Sequence, residues 1–271
     1  MVEPVASGAG MVVKRSVASA VPVAAAAVVA GEILRAVYRR DLPTFGNQDA
    51  SGVFGDPSRP PLRIVALGDS SVTAPGVEDL DDVWIRCVAK GFTDRYHVEL
   101  ISLAVGGAKA RDVIDGQLAE AIRLHPHVAS VSVGSNDALR GTRPGRFRLE
   151  LTEIVRRLEE AGAAVVIYGM GDLGSIPRLP PTLSRIATRR SEIFDRVCRE
   201  VAVSSGRAVK VHTRGRMLTA FREDKTLFAG DLFHAGGRGH AVFAAGAVQA
   251  FEAAVAMAMA ARVPSPQILE S

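Results

Sequence analysis

The sequence predicts an α/β fold in which helices cover both faces of a mainly parallel sheet. Short apolar stretches rich in Val and Ile recur along the chain, and longer stretches with helical spacing separate them. Strands that are buried on both faces of a parallel sheet are typically continuous apolar runs of this kind. With 271 residues, 48% of them hydrophobic, the chain is long enough to bury the core of one such domain.

The apolar stretches predict five strands, and the segments between them predict the helices. The predicted strands are 62–67, 98–103, 128–133, 163–168 and 208–211. The predicted helices are 83–96, 108–124, 147–161 and 183–204, followed by an Ala-rich closing helix at about 237–261. This alternation of strand and helix is typical of βαβ units, which place successive strands parallel.

The composition divides the chain into four segments. An apolar N-terminal segment (1–40) precedes a linker or extended arm (41–61) that is rich in Gly, Pro and small polar residues. The domain follows at 62–262, and 263–271 form a tail. We find no internal repeats.

The N-terminal segment carries an apolar run, 17–30, with Lys14 and Arg15 before it and Arg35 after it. This pattern is typical of a signal peptide or signal anchor, although the run is shorter than the ~20 residues of a membrane span. The alternative is an amphipathic helix that lies on the protein or on a membrane surface. We therefore expect association with a membrane or the cell envelope in preference to a cytoplasmic location.

The charge pattern argues against a nucleic-acid partner. The 33 basic and 29 acidic residues are interspersed, and aromatic residues make up only 5% of the chain. Cys87 and Cys198 lie in predicted helices without a CxxC motif, which favours two reduced packing cysteines. No motif for a metal ion, a nucleotide or another cofactor is present, so we expect none. The sequence does not indicate the oligomeric state.

Ligands of open α/β sheets bind beyond the carboxyl ends of the strands, and polar or Gly-containing turns follow several predicted strands here. Ser70 follows the first strand, and Asp231 and His234 lie late in the chain. Neutral His234 can take the Ser70 proton while Asp231 orients the imidazole. Oxyanion donors are then expected from the Ser70 backbone, Gly107 and the Asn136 amide.

Four segments in this order resemble the blocks of the SGNH (GDSL) hydrolase superfamily. They are GDS with Ser70, SLAVGG with Gly107, GSND with Asn136, and DLFH followed by AGGRGH with Asp231 and His234. The resemblance covers about residues 62–250 and implies a three-layer, flavodoxin-like sandwich with a five-stranded parallel sheet. Ser102 and Ser71 depart from the usual Asn of the second block and the Leu of the first, and neither departure removes a catalytic group.

Each segment alone has a plainer interpretation. GDS and GSND are ordinary turns with helix caps, and a single DxxH is more often a surface ion pair than a catalytic couple. Ser71 is a rival nucleophile, but it lies one residue further into the helix. His240 is a rival base, which the helical spacing predicts to be partly exposed and to face away from His234.

The segment 169–174 matches GxGxxG after a strand, yet Pro177, Pro180 and Pro181 prevent a helix from following at the phosphate position. We interpret 169–181 as a mobile substrate loop. Its candidate acyl-pocket residues are Met170, Leu173, Ile176 and Leu179.

The predicted function is hydrolysis of a carboxylic ester through an acyl-enzyme. The resemblance implies an acyl ester of a lipid or a carbohydrate, since its superfamily includes lipases, thioesterases and carbohydrate esterases. The alternatives are an acyltransferase, or a non-catalytic module that binds a glycolipid or a partner on the same fold.

Overall fold

A computed structural model describes residues 26–36 and 38–261, which form one six-stranded sheet between two layers of helices. The strands are β1 (Gly52–Phe54), β2 (Pro61–Gly68), β3 (His97–Ser102), β4 (Val128–Ser132), β5 (Ala164–Ile167) and β6 (Ala208–Lys210). The α-helices are α1 (26–36), α2 (Ser70–Thr73), α3 (Trp84–Lys90), α4 (Ala110–Gly116), α5 (Leu118–Arg123), α6 (Ser135–Leu139), α7 (Pro144–Glu160), α8 (Pro181–Ser204), α9 (Arg216–Glu223) and α10 (Gly237–Ala260). Short 3-10 helices lie at Leu80–Asp82, Leu173–Ser175 and Lys225–Leu227.

The strand order is β1-β3-β2-β4-β5-β6, and all neighbours from β3 to β6 are parallel. The five parallel strands therefore have the flavodoxin-like order, which confirms the predicted fold class. The chain leaves β2 for β3 on one side and later returns to β4 on the other. The crevice between the ends of β2 and β4 is the topological switch point, where ligands of such sheets bind.

The sheet has one strand more than the five predicted. β1 pairs antiparallel with β3, with Gly52 opposite Leu100. It lies in the segment that was predicted to be a linker or extended arm. The strand was not predicted because it has only three residues and begins with Gly, which is too short a stretch to show a strand pattern. This segment lies along the domain, since Ala50 has no exposed surface and the Gln48 side chain donates to the carbonyl oxygens of Ala74 and Val77.

Alternation along β2 divides the core between the two faces of the sheet. Ile64 and Ala66 pack in a cluster that includes α3 and α10, whereas Val65 and Leu67 pack in a second cluster with α4, α5, α7 and α8. Side chains along a strand point alternately to opposite faces, so a continuous apolar strand fills both layers. This arrangement explains why Ile64, Val65, Ala66 and Leu67 are all fully buried.

Among the described residues, α10 is the one helix long and apolar enough to cross a membrane by length and composition. Ala247, Phe251 and Ala254 on this helix are buried in the core. A core helix of a globular domain passes the same test. The apolar run predicted at 17–30 falls largely outside the described residues, which begin within it as α1.

The helix predicted at 108–124 is interrupted at Gln117, between α4 and α5. The Gln117 side chain is buried and binds the backbone of Gly68 twice. Its Oε1 accepts from Gly68 N at 2.8 Å, and its Nε2 donates to Gly68 O at 2.9 Å. The side chain thereby takes the place of a neighbouring strand at the end of β2, two residues before Ser70.

We expect Gln117→Leu to lower the free energy of unfolding by about 2 kcal/mol. Leu preserves the approximate volume but leaves the buried Gly68 N–H without its acceptor, and an unsatisfied buried group is destabilising by about 1–3 kcal/mol. Urea titration followed by circular dichroism measures the change. Gln249→Leu on the exposed face of α10 is the matched control, and equal stabilities for the two variants would contradict this role of Gln117.

Candidate active site

Ser70 is the first residue of α2, directly beyond the carboxyl end of β2. The turn into the helix requires glycine at position 68, because φ is +145° and a Cβ there would lie 2.0 Å from the carbonyl oxygen of Ser132. Asp69 caps the helix and accepts from Ser71 N at 2.9 Å. The Ser70 backbone N–H has no acceptor among the described residues, so the strand-to-helix turn presents it as a free donor.

Asn136 lies in the first turn of α6, after β4, and connects the ends of the two central strands. Its Nδ2 donates to Asp69 Oδ2 at 3.1 Å and to Ala108 O at 3.2 Å. Burial raises the pKa of the Asp69 carboxyl, although hydrogen bonds from Ser71 and Asn136 oppose that shift. Both N–H bonds of the predicted oxyanion amide therefore have partners within the protein in this structure.

Gly107 lies in the loop after β3 with φ +81°, a conformation that favours glycine. Its backbone N–H has no hydrogen-bond acceptor among the described residues, whereas its carbonyl oxygen accepts from Arg140. Gly107, Ser70 and Asn136 line one groove together with His234. The three predicted oxyanion donors therefore lie on one surface, as their positions after successive strands led us to expect.

Asp231 and His234 form a closed turn. His234 Nδ1 and Asp231 Oδ2 are 2.6 Å apart, and Asp231 Oδ1 accepts from the backbone N–H groups of Phe233 and His234 at 2.9 and 3.0 Å. Leu232 between them has φ +59°. Burial alone would raise the pKa of Asp231, but the hydrogen bonds from His234 and these backbone groups outweigh it, and the pKa is lowered. Asp231 therefore stays ionised beside the imidazole.

Ser70 and His234 line both the groove and an adjoining cavity of about 160 Å³. No hydrogen bond joins the Ser70 hydroxyl to His234 among the described residues. Catalytic hydrogen bonds often tighten only when a substrate is bound. The structure thus brings the candidate nucleophile and the candidate base to one cavity, with His234 Nδ1 already held by Asp231.

The cavity extends from Ser70 into an apolar interior. Of the predicted acyl-pocket residues, Met170, Leu173 and Ile176 line this cavity, whereas Leu179 lines the adjoining groove. Most of the wall was not predicted from the sequence; it also includes Trp84, Tyr168, Met217, Phe221, Phe228 and Phe243. These residues have the spacing of core residues, and the only sequence signal for them is the aromatic character of all but Met217.

The prediction for His240 was wrong. Its exposed fraction is 1%, and it lines the same cavity as His234. α10 is apolar around much of its circumference, so periodicity does not indicate which face packs against α3. Within residues 26–36 and 38–261, no group of three or more His, Cys, Asp or Glu side chains is placed to hold a metal ion.

A family model for the GDSL-like lipase/acylhydrolase family matches residues 66–242, which contain the end of β2, all of β3 to β6 and both candidate catalytic segments. The chain belongs to this GDSL-like family. The match confirms the resemblance that the four sequence blocks predicted.

Two curated members of this kind are similar to the chain. A protein named a GDSL-like esterase from Mycobacterium tuberculosis is 28% identical over 181 residues, which cover 64% of this chain and 56% of that protein. The esterase TesA of Pseudomonas aeruginosa is 26% identical over 151 residues, covering 54% of this chain and 68% of TesA. The match thus spans little more than half the length of the mycobacterial relative.

Solved structures share the fold of this GDSL-like chain. The crystal structure of TesA superposes with a TM-score of 0.56 at 21% identity, covering 70% of this chain and 98% of TesA. An acetylxylan esterase from Geobacillus stearothermophilus superposes with a TM-score of 0.58 at 14% identity, covering 72% and 94% of the two chains. At these identities the similarity shows the α/β/α architecture.

Proposed function

We propose that this chain is a serine esterase that hydrolyses carboxylic esters through an acyl-enzyme on Ser70. The observation that carries the proposal is the His234–Asp231 contact of 2.6 Å beside a cavity that Ser70 also lines. An ionised, mostly buried carboxylate holds the imidazole in the tautomer whose Nε2 accepts a proton. Membership of a family of lipases and acylhydrolases supports the same chemistry.

In the proposed reaction, Ser70 Oγ attacks the ester carbonyl carbon while His234 Nε2 takes the hydroxyl proton. The tetrahedral intermediate collapses, the C–O bond to the alcohol breaks, and His234 returns the proton to the leaving oxygen. Water then attacks the acyl-enzyme with His234 as base again. The carboxylic acid leaves and Ser70 is regenerated.

The oxyanion of the intermediate needs donors that are already in place. The backbone N–H groups of Ser70 and Gly107 supply two in the proposed site, since neither has an acceptor among the described residues. Asn136 supplies a third when one of its amide N–H bonds turns from Asp69 or Ala108 towards the substrate.

The acyl group and the alcohol occupy different spaces in this proposal. The apolar cavity takes the acyl chain, and the groove of about 640 Å³ beside Gly106 and Gly107 takes the alcohol. The groove is large enough for a sugar or a glycerolipid headgroup. The acetylxylan esterase and the lipase family name support carbohydrate and lipid esters as the substrate class.

We further propose that the groove opens towards a membrane of the cell envelope. Ile33 and Ala36 of α1 line the groove, and Ala36 O accepts from Arg178 Nε at 2.6 Å. On the same helix Val28 and Leu34 are more than half exposed. Exposed apolar side chains on a helix that borders the site suit contact with a lipid surface.

Acyl transfer is the second candidate function. The groove beside Ser70 is four times the volume of the acyl cavity, so an acceptor alcohol has room to enter in place of water. Mass spectrometry of the products separates the two reactions. A free acid indicates hydrolysis, and a new ester formed with added glycerol or sugar indicates transfer.

An alkyl fluorophosphonate tests the proposed nucleophile directly. Ser70 Oγ should attack phosphorus and displace fluoride, giving one adduct per chain and complete loss of p-nitrophenyl ester hydrolysis. Tandem mass spectrometry of the peptide locates the adduct, and heat-unfolded protein is the unreactive control. An adduct on Ser71, or no adduct in an active protein, would contradict the proposal.

A further inference from the structure

The aromatic wall of the acyl cavity contains polar atoms, and two of them have partners within the protein. Trp84 Nε1–H donates to Ser71 O at 2.7 Å. The Tyr168 hydroxyl donates to Phe243 O at 3.0 Å. These two side chains therefore present only apolar ring surface to a bound acyl chain.

His240 on the same wall is different. Its Nδ1 accepts from Trp84 N at 3.2 Å, so in the neutral ring the hydrogen is carried by Nε2. Burial lowers the pKa of His240 to about 3, aided by the nearby His234, and the ring is neutral at physiological pH. Among the described residues no hydrogen-bond acceptor meets Nε2. The other close contact of the ring is an aromatic one, with Phe243 at 5.5 Å between centroids.

An N–H group that faces an apolar cavity without an acceptor is unfavourable, and polar groups in such places normally find a partner. His240 Nε2 is not among the fully enclosed, unpartnered side-chain atoms of the described residues, and the side chain as a whole is 1% exposed. The cavity that His240 lines is therefore the space from which an acceptor reaches Nε2. The surrounding wall is apolar, so an acceptor atom of a bound ligand that lies there finds its hydrogen-bond donor at His240. The position of that acceptor along the ligand's carbon chain is thereby fixed. An arrangement of this kind distinguishes ligands that carry an oxygen there from those that do not.

The cavity volume limits the length of the ligand. Its volume of about 160 Å³ is close to that of cavities of about 150 Å³ that hold a benzene molecule. A chain of about six carbons fills this space. Longer chains would have to leave through the groove.

We propose that the cavity is a subsite for acyl chains of about six carbons that carry a hydroxyl or keto oxygen, which accepts a hydrogen bond from His240 Nε2. This inference rests on the proposed acyl-enzyme at Ser70. His240 is a specificity residue in this arrangement and takes no proton during the reaction. The oxygen pairs with the buried N–H and thereby offsets its own desolvation.

The test compares p-nitrophenyl hexanoate with the 3-hydroxyhexanoate, 4-oxohexanoate and 5-oxohexanoate esters, each corrected for its spontaneous hydrolysis. The wild type should prefer at least one oxygenated ester, by kcat/KM, over hexanoate. In His240→Asn that preference should fall by about fivefold to tenfold, as expected for one hydrogen bond. Asn can still accept from Trp84 N, but it has no donor at the Nε2 position.

His240→Gln is the matched variant, because its amide nitrogen reaches the Nε2 position and should retain the preference. Circular dichroism and thermal unfolding establish that each variant is folded. A preference that is equal in wild type and His240→Asn, or its absence in the wild type, would overturn the subsite. Failure of the wild type to hydrolyse hexanoate would instead overturn the proposed function, and the subsite with it.

Discussion

Ser70→Ala is expected to lower kcat for p-nitrophenyl ester hydrolysis by at least a thousandfold. Without the hydroxyl no acyl-enzyme forms, and only the oxyanion donors and substrate binding remain to accelerate the reaction. The substitution should leave stability nearly unchanged, since the Ser70 side chain is partly exposed and no hydrogen bond of its hydroxyl is seen among the described residues. Initial rates of purified protein over a range of substrate concentrations measure the effect.

Ser71→Ala is the matched control for the rival nucleophile. The Ser71 hydroxyl lies 2.6 Å from Ser132 Oγ, so it is engaged in a hydrogen bond away from the His234–Asp231 pair. We expect this variant to retain at least a tenth of the wild-type rate. A reversed result, with Ser71→Ala inactive and Ser70→Ala active, would assign the nucleophile to Ser71.

Asp231→Asn is expected to lower kcat by about three to four orders of magnitude. The amide that replaces Oδ2 favours the wrong imidazole tautomer and does not stabilise the imidazolium that forms when His234 takes the proton. Because the Asp231 pKa is already lowered, the wild-type carboxylate remains ionised well below neutral pH. Protonation of Asp231 should therefore not change the wild-type rate between pH 6 and 9.

Asp224→Asn is the control variant. It shows whether removing the carboxylate of any turn in this region lowers activity. Asp224 accepts from Thr226 N at 2.9 Å in a turn of the same kind, but it is outside the cavity and the groove. We expect its activity to stay within about twofold of wild type. If the Asp231 and Asp224 variants lost activity equally, the loss would reflect folding of this region and not catalysis.

Much of the sheet could be predicted because its strands are continuous apolar runs. The strand predicted at 128–133 is observed as Val128–Ser132, and all five residues are buried. A short apolar run that has Gly or polar residues at both ends is readily recognised as a buried strand. The family could also be predicted, because its four segments each contain polar residues in a fixed order.

The elements that were missed have weaker local signals. α9 begins after Gly215 with φ +106°, and only one face of its eight residues packs inwards, through Met217 and Phe221. β1 is held by its pairing with β3, a contact between residues almost fifty positions apart. Both elements are stabilised by tertiary contacts, and such contacts cannot be predicted from a local sequence pattern.

The electrostatic details of the site also depend on packing. Sequence alone suggested Asn136 as an oxyanion donor, but its hydrogen bonds to Asp69 and Ala108 require the exact juxtaposition of three loops. The burial of His240 follows from the docking of α10 onto α3, which joins residues 156 positions apart through the Trp84 contact. Neither the hydrogen bonds of Asn136 nor the burial of His240 can be predicted from the spacing of residues in the sequence.

The candidate nucleophile and its partners come from opposite ends of the domain, and this has a consequence during synthesis. A nascent chain that has emerged as far as α8 already contains β2, β4 and Ser70, yet it lacks Asp231, His234 and the wall supplied by α9 and α10. Such a chain has a serine in an open crevice with no base beside it. Reactivity would therefore be acquired only in the last stage of folding, when α10 docks on the sheet and completes the wall of the cavity.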